Sequence, residues 1–220
     1  MIDSYDKLTI NKYRELVKLE KDEGDDMEYG IQILSILSDI DEDELMDMPL
    51  EDFSKMMTKT NFLYKEVNKL DYNHLGKILT INGKKYKIVK DAKNMTAGQY
   101  IDYKSYITKD NFIDMLPYIL TVFIIPDGCK YGNGYDTEEL AVELDNHLDI
   151  RTALCISDFF LNQSRFSMQT SLRYLKWKMK RMMKKETNQE IKNKIAEGLE
   201  QINSLESLLQ SSDGSIVPSR

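Results

Sequence analysis

Apolar residues in this chain recur at threes and fours over most of its length and alternate only once. Leu16 and Leu19 supply the buried side of a first helix that Thr9 can cap. Ile33, Leu34, Ile36 and Leu37 stripe a second helix, Met27 to Asp39, beyond the acidic break at 21–26. Asp41 to Glu44 predict a short helix, since carboxylates suit the positive end of the helix dipole. Pro49, at a first-turn position, opens another through Leu50, Phe53, Met56 and Met57. The rhythm then changes at Lys77. Ile78 to Ile81 and Lys84 to Val89 read as strands, and Asn82-Gly83 between them is a hairpin signal, because a type I′ turn needs positive φ at both central residues. A lone hairpin is marginal in water, so this one must pack on helices, join another strand or pair with a partner chain.

Helices resume at Thr96, which caps a segment through Tyr106, and at Asp110. Asp110 opens a run with Phe112, Leu116, Ile119, Leu120, Phe123 and Ile124 apolar on most sides, the expected core helix. A loop, Ile125 to Asp136, separates it from a capping box at Asp136-Thr137-Glu138-Glu139 and a helix through Leu144. Asp149 or Thr152 opens the next, with Leu154, Ile156, Phe159 and Phe160. From Ser167 the character shifts. Leu172, Leu175, Met179, Met182 and Met183 form one stripe of a helix otherwise rich in Lys and Arg. A second capping box at Thr187 to Glu190 precedes Ile191, Ile195, Leu199, Ile202, Leu205, Leu208 and Leu209 at near-heptad steps. The pattern predicts a mainly α fold. Residues 1–163 form a helical core domain with a β-hairpin at 77–89, residues 164–211 a carboxy-terminal antiparallel helical hairpin, and residues 212–220 a polar tail.

Composition narrows the class. A chain of 220 residues with 41% hydrophobic and 30% charged residues suits a globular protein, and four prolines with ten glycines favour helix over barrel or sandwich. The longest apolar run, Met115 to Ile125, contains Pro117 and falls short of the about twenty residues of a membrane span, so no membrane is expected. The amino terminus lacks the basic start and apolar stretch of a secretory leader, and the two cysteines, Cys129 and Cys155, set up no disulfide framework. A cytosolic setting follows. The formal net charge of −7 conceals an asymmetry: residues 1–70 carry about −9 and residues 164–194 about +8.

Candidate chemistry is sparse. His74 and His147 are the only histidines and nothing is spaced to join them as ligands; Cys155, in an apolar run, reads as a buried thiol. The acidic run Asp41 to Asp47 lacks the glycine and terminal glutamate of an EF-hand loop. Gly128 to Gly134 is not followed by Gly-Lys-Ser/Thr, so it is no phosphate loop. No enzyme, cofactor or metal is expected. The functional surface expected from the residues is the basic segment Arg173 to Lys185, about seven cations in thirteen residues with Tyr174 and Trp177 among them. Three readings fit it: nucleic-acid phosphate contact, docking on an acidic protein surface such as Asp41 to Asp47 on the same or a neighbouring subunit, or a solvated face with paired charges.

Several strings in the middle carry a resemblance: Ile33 to Ser38, Met48 to Phe53, Ile81 to Tyr86, Met95 to Asp102, Ile125 to Tyr131, and Gly134-Tyr135-Asp136. In order and spacing this region resembles small structural proteins of tailed phages that infect Bacteroides-type gut bacteria, including the crAss-like phages. The resemblance implies a non-enzymatic virion protein, a ring-forming adaptor at the portal or head–tail connection. Its partners would be copies of itself, in a dodecamer where the ring matches a portal, together with the portal and other tail or ring proteins. Its place would be the virion, and the host cytoplasm during assembly. Similar proteins act as tail-assembly chaperones absent from the mature particle, which is the alternative; a nucleic-acid-binding accessory role is a third. The interaction residues expected are Arg173, Lys176, Trp177, Lys180, Arg181 and Lys184 on the basic helix, with Tyr86 and Tyr131 from the middle region.

Overall fold

A computed structural model describes residues 1–19, 26–65, 67, 75–89, 95–109 and 111–211, with only the helical backbone at 163–171, 185, 205–206 and 208–211. The fold is mainly helical with one small antiparallel sheet. By internal contacts the chain divides into Met1–Phe159 and Phe160–Arg220.

The first unit begins with α1 (Ile10–Lys18). Thr9 caps it by accepting from the Lys12 amide, one of the orphan donors of a helix start. Ile10, Tyr13 and Leu16 are its buried side. α2 (Asp26–Ser38), α3 (Glu42–Met46, capped by Asp41) and α4 (Leu50–Lys59) follow, the last running into a 3-10 helix at Thr60–Tyr64. Ile31, Leu34, Leu45 and Phe53 knit these into a local core, with Ile40, Met48, Met56 and Met57 packed against it. Pro49 sits one position earlier than the sequence suggests, as the residue preceding the first turn of α4.

The hairpin forms as its turn dictates: Asn82 at φ 47° and Gly83 at φ 74° join β1 (Ile78–Ile81) to β2 (Lys84–Ile88). Its outer partner lies in this chain. β3 (Ile124–Pro126) pairs antiparallel with β2, Ile88 opposite Ile124 and Tyr86 opposite Pro126, giving the order β1-β2-β3. This corrects the extended apolar helix expected over this stretch, since α6 (Phe112–Thr121) stops before Phe123 and Ile124. The cap of α6 is Asn111, which accepts from the Asp114 amide; Asp110, expected in that role, lies outside the described residues, as does His74.

α5 (Ala97–Ile107) carries a full capping box between Thr96 and Gln99. Gln99 also reaches across the core. Buried, it donates through Nε2 to the Val122 carbonyl (2.7 Å) and so fastens α5 to the α6–β3 corner. α6 is the centre of the core, with Leu116, Ile119 and Leu120 fully buried. α7 (Thr137–His147) is capped by Asp136, which accepts from the amides of Glu138 and Glu139. The start of the chain closes on the far side of the sequence, where Ile150 donates to the Leu8 carbonyl and Ile10 to that of Leu148.

α8 (Ile150–Lys185) is one continuous helix of 36 residues, so the change in composition at Ser167 marks no break in the backbone. Asp149 caps it through the Thr152 amide, and Ile150, Ala153, Ile156 and the buried Cys155 belong to the first unit's core. The second unit pairs the later part of α8 with α9 (Gln189–Ser211) across a three-residue turn, the expected antiparallel hairpin. The close approach of Gly198 to Met179 fixes the pairing: a Cβ on Gly198 would stand 2.5 Å from the Met179 methyl. Asn188, rather than Thr187, caps α9 by accepting from the Glu190 amide.

Candidate interaction surface

The surface follows from which side of α8 the hairpin consumes. Leu172 is buried, Lys176, Met179 and Met183 are half-buried, and Ile195, Leu199 and Ile202 of α9 are buried. Steps of four, three and four from Leu172 define one seam. Leu175 and Met182, assigned to that stripe from the sequence, are exposed at 45% and 50% and lie outside it.

A side of α8 turned roughly a third of the way round from the seam carries Arg173, Trp177, Lys180, Arg181 and Lys184, all exposed, at i, i+4, i+7, i+8 and i+11. Trp177, the single tryptophan, is 55% exposed. Its indole lies beside the Tyr174 ring (centroids 6.1 Å apart, planes 32° apart), and the Arg181 guanidinium sits over it at 5.5 Å. Among the described residues, none of Arg173, Lys180, Arg181 and Lys184 forms an ion pair with a carboxylate. Five of the six basic-helix residues expected from the sequence thus share one face. Lys176 lies on the seam side, because it stands four residues from Leu172.

The two middle-region tyrosines turn inward. Tyr86 is only 3% exposed, and burial together with the Glu143 carboxylate beside it pushes its pKa up to about 12. A side chain held this way presents no contact surface, which corrects its placement among the interaction residues. The Glu143 carboxylate takes a 2.6 Å bond from Lys84 through Oε2, while Oε1 is buried without a hydrogen-bond partner. Burial alone would raise the Glu143 carboxyl, but the bond and charge of Lys84, with the Tyr86 hydroxyl nearby, outweigh it and hold it below its ordinary value. Tyr131 is half-buried and donates to Asp102 (2.7 Å). Burial first, then that bond, drives its phenol far above the ordinary value. The glycine-rich string around it is a built turn: Gly128, Gly132 and Gly134 hold positive φ, Lys130 bridges Asn133, and the Cys129 thiol lies 3.6 Å from the Gly134 carbonyl.

A second exposed feature was not read from the sequence. Met27, Leu50, Phe53, Met57 and Tyr64, from α2, α4 and the 3-10 helix, line an open cleft of about 440 Å³ together with the polar Ser54, Thr58, Thr60 and Asn61. Leu50 (66% exposed) and Tyr64 (74%) form its lips. Glu42, Asp43, Glu44 and Asp47 on the neighbouring α3 segment are exposed, as are Glu51 and Asp52 on α4, which pair with Lys55. Three separate elements contribute to this cleft, so no periodicity announces it.

Among the described residues, no three His, Cys, Asp or Glu side chains converge as metal ligands, and no helix is long and apolar enough to cross a membrane. No protein-family model, curated protein or solved structure matches the chain.

Proposed function

We propose that this chain is a non-enzymatic structural protein that works by contact, a ring-forming adaptor at the head–tail connection of a tailed phage. The observation that carries the contact reading is the outward face of α8. An exposed tryptophan, tyrosine and four cations line one side of a helix that is packed along another. Aromatic residues, arginine and methionine are the types enriched where proteins meet. The assignment to a phage connector rests on the resemblance of the middle region.

Proteomics of purified particles of the encoding phage tests this reading. An adaptor is present at a copy number tied to the portal's symmetry. Absence from particles, with presence in infected cells, replaces it with the assembly-chaperone reading.

The Tyr174–Trp177–Arg181 stack favours one further reading, since bases stack on such platforms beside phosphate-binding cations. Binding of a labelled single-stranded oligonucleotide, weakened steeply by salt and abolished in Trp177→Ala, would establish it.

A further inference from the structure

We infer that the outward face of α8 in one copy docks in the methionine-lined cleft of a second copy, joining protomers head to tail. This rests on the ring-adaptor reading and names the contact that would build the ring. The two surfaces match in chemistry. The cleft offers Met27, Leu50, Phe53, Met57 and Tyr64, the α3 segment that leads into α4 exposes Glu42, Asp43, Glu44 and Asp47, and among the described residues no cation pairs with these four. The α8 face offers Trp177 and Tyr174 between Arg173, Lys180, Arg181 and Lys184. Aromatic rings find two adaptable thioethers in the lining, and the α8 cations are opposite in sign to the α3 carboxylates.

The dimensions agree as well. Arg173 to Lys184 spans about 17 Å of helix and α4 about 15 Å, at 1.5 Å per residue. A contact between two different surfaces of the same chain is heterologous, and repeating it closes a ring or runs on as a filament.

Trp177, as the only tryptophan, reports the contact directly. The full chain is followed by sedimentation velocity and tryptophan emission over a concentration series, beside two full-length variants. One blocks the cleft at its exposed lips (Leu50→Lys with Tyr64→Lys). The other reverses the α8 face and keeps the reporter (Arg173→Glu, Lys180→Glu and Lys184→Glu). The wild type is expected to assemble with a blue shift that grows with concentration and fades between about 0.1 M and 1 M salt. Each variant alone stays monomeric with unchanged far-UV circular dichroism. Mixed together they form one-to-one pairs, because one intact face meets one intact cleft, and the blue shift returns. Should a variant lose helix, Leu50→Gln with Tyr64→Gln, or Lys180→Gln with Lys184→Gln, replaces it and is expected to weaken assembly at least tenfold.

Wild-type assembly that persists unchanged in both variants overturns the inference and leaves the ring reading standing. Two monomeric variants that fail to pair overturn the head-to-tail geometry. A blue-shifted emission already present in dilute monomer, and red-shifted by the cleft variant, overturns it in favour of a contact within one chain. A wild type that is monomeric at every concentration overturns both the inference and the ring reading.

Discussion

Arg14 offers the sharpest test of how the first unit is held together. From α1 its guanidinium reaches Asp145 on α7 (2.5 Å) and Asn11 (2.8 Å), with Asp114 of α6 at 3.7 Å and Lys18 closing on Asp114 at 2.8 Å. The Arg14 and Asp145 side chains are 20% and 14% exposed, and Asp145 Oδ1 is buried without a hydrogen-bond partner. Arg14→Met keeps the length of the stem but leaves that carboxylate largely dry and without its cation. Breaking a fully buried pair costs about 3–5 kcal/mol and an exposed one about 0–1. This pair sits nearer the buried limit, so about 2–3 kcal/mol is expected, a fall of roughly 5–10 °C in Tm for a chain this size. Arg14→Lys recovers part of it, since an ammonium lacks the planar fork that meets Asp145 and Asn11 through Nη2 while Nε faces Asp114. Asp145→Leu is expected to cost less, and the double variant less than the sum, with a coupling of about 1–2 kcal/mol. Urea unfolding followed by far-UV circular dichroism measures this, with Lys194→Ala, from an exposed pair on α9, as the control. If Arg14→Met costs no more than Lys194→Ala, the three-helix ion cluster contributes nothing and the reasoning fails.

Asp149 caps α8, yet burial raises its carboxyl above 3.8 despite the Thr152 bonds. The folded state therefore holds this proton more tightly than the unfolded one, and its contribution is present below the ordinary value and lost as pH rises through the folded one. Asp149→Asn keeps the cap acceptor and is expected to stabilise at neutral pH, by an amount that vanishes as pH falls towards 3.8, whereas Asp149→Ala loses about 1 kcal/mol of capping; urea midpoints across pH separate the two. Gly83→Ala meets no neighbour, but it forces a Cβ onto φ 74° and should cost about 1–2 kcal/mol, read as a lower Tm. Tyr131→Phe removes the bond to Asp102 and should cost about 1–2 kcal/mol in urea unfolding while leaving assembly unchanged; intact stability with lost assembly would restore Tyr131 to the contact surface.

The sequence was legible where local backbone chemistry decides the outcome. Thr9, Asp41, Thr96 and Asp136 cap helices because a short oxygen-bearing side chain meets an orphan amide whatever surrounds it, and Asn82-Gly83 turns because few other pairs tolerate that backbone. It was opaque where neighbours distant in sequence decide. Ile124 and Ile125 are both buried, so β3 shows no alternation and reads as more of the apolar helix before it. Tyr86 resembles a surface residue because Lys84, Lys85 and Lys87 surround it, yet strand alternation alone turns it inward. On α8 two stripes overlap: Leu172, Leu175, Met179 and Met182 follow a heptad, while the seam takes Leu172, Lys176, Met179 and Met183. Only the position of α9, set by the Gly198–Met179 approach, separates them.

That choice of stripe bears on function. A heptad seam would have buried Leu175 and Met182 and left Lys176 in water. The observed seam spends a lysine stem on its packed side, as long cationic side chains permit, and leaves Tyr174, Leu175, Trp177 and Met182 outside. Among the described residues of the second unit, the buried apolar set beyond Phe160 is Leu172, Ile195, Leu199 and Ile202. Helices in water depend on tertiary burial far more than on propensity, so what covers such a hairpin matters to its stability. Tyr174 and Trp177 lie exposed in the company of cations that no described carboxylate neutralises. Covering that face would add burial and charge pairing at once. If the proposed assembly forms, the hairpin is expected to be more protected from hydrogen exchange in it than in the monomer, with the gain concentrated at residues 173–184.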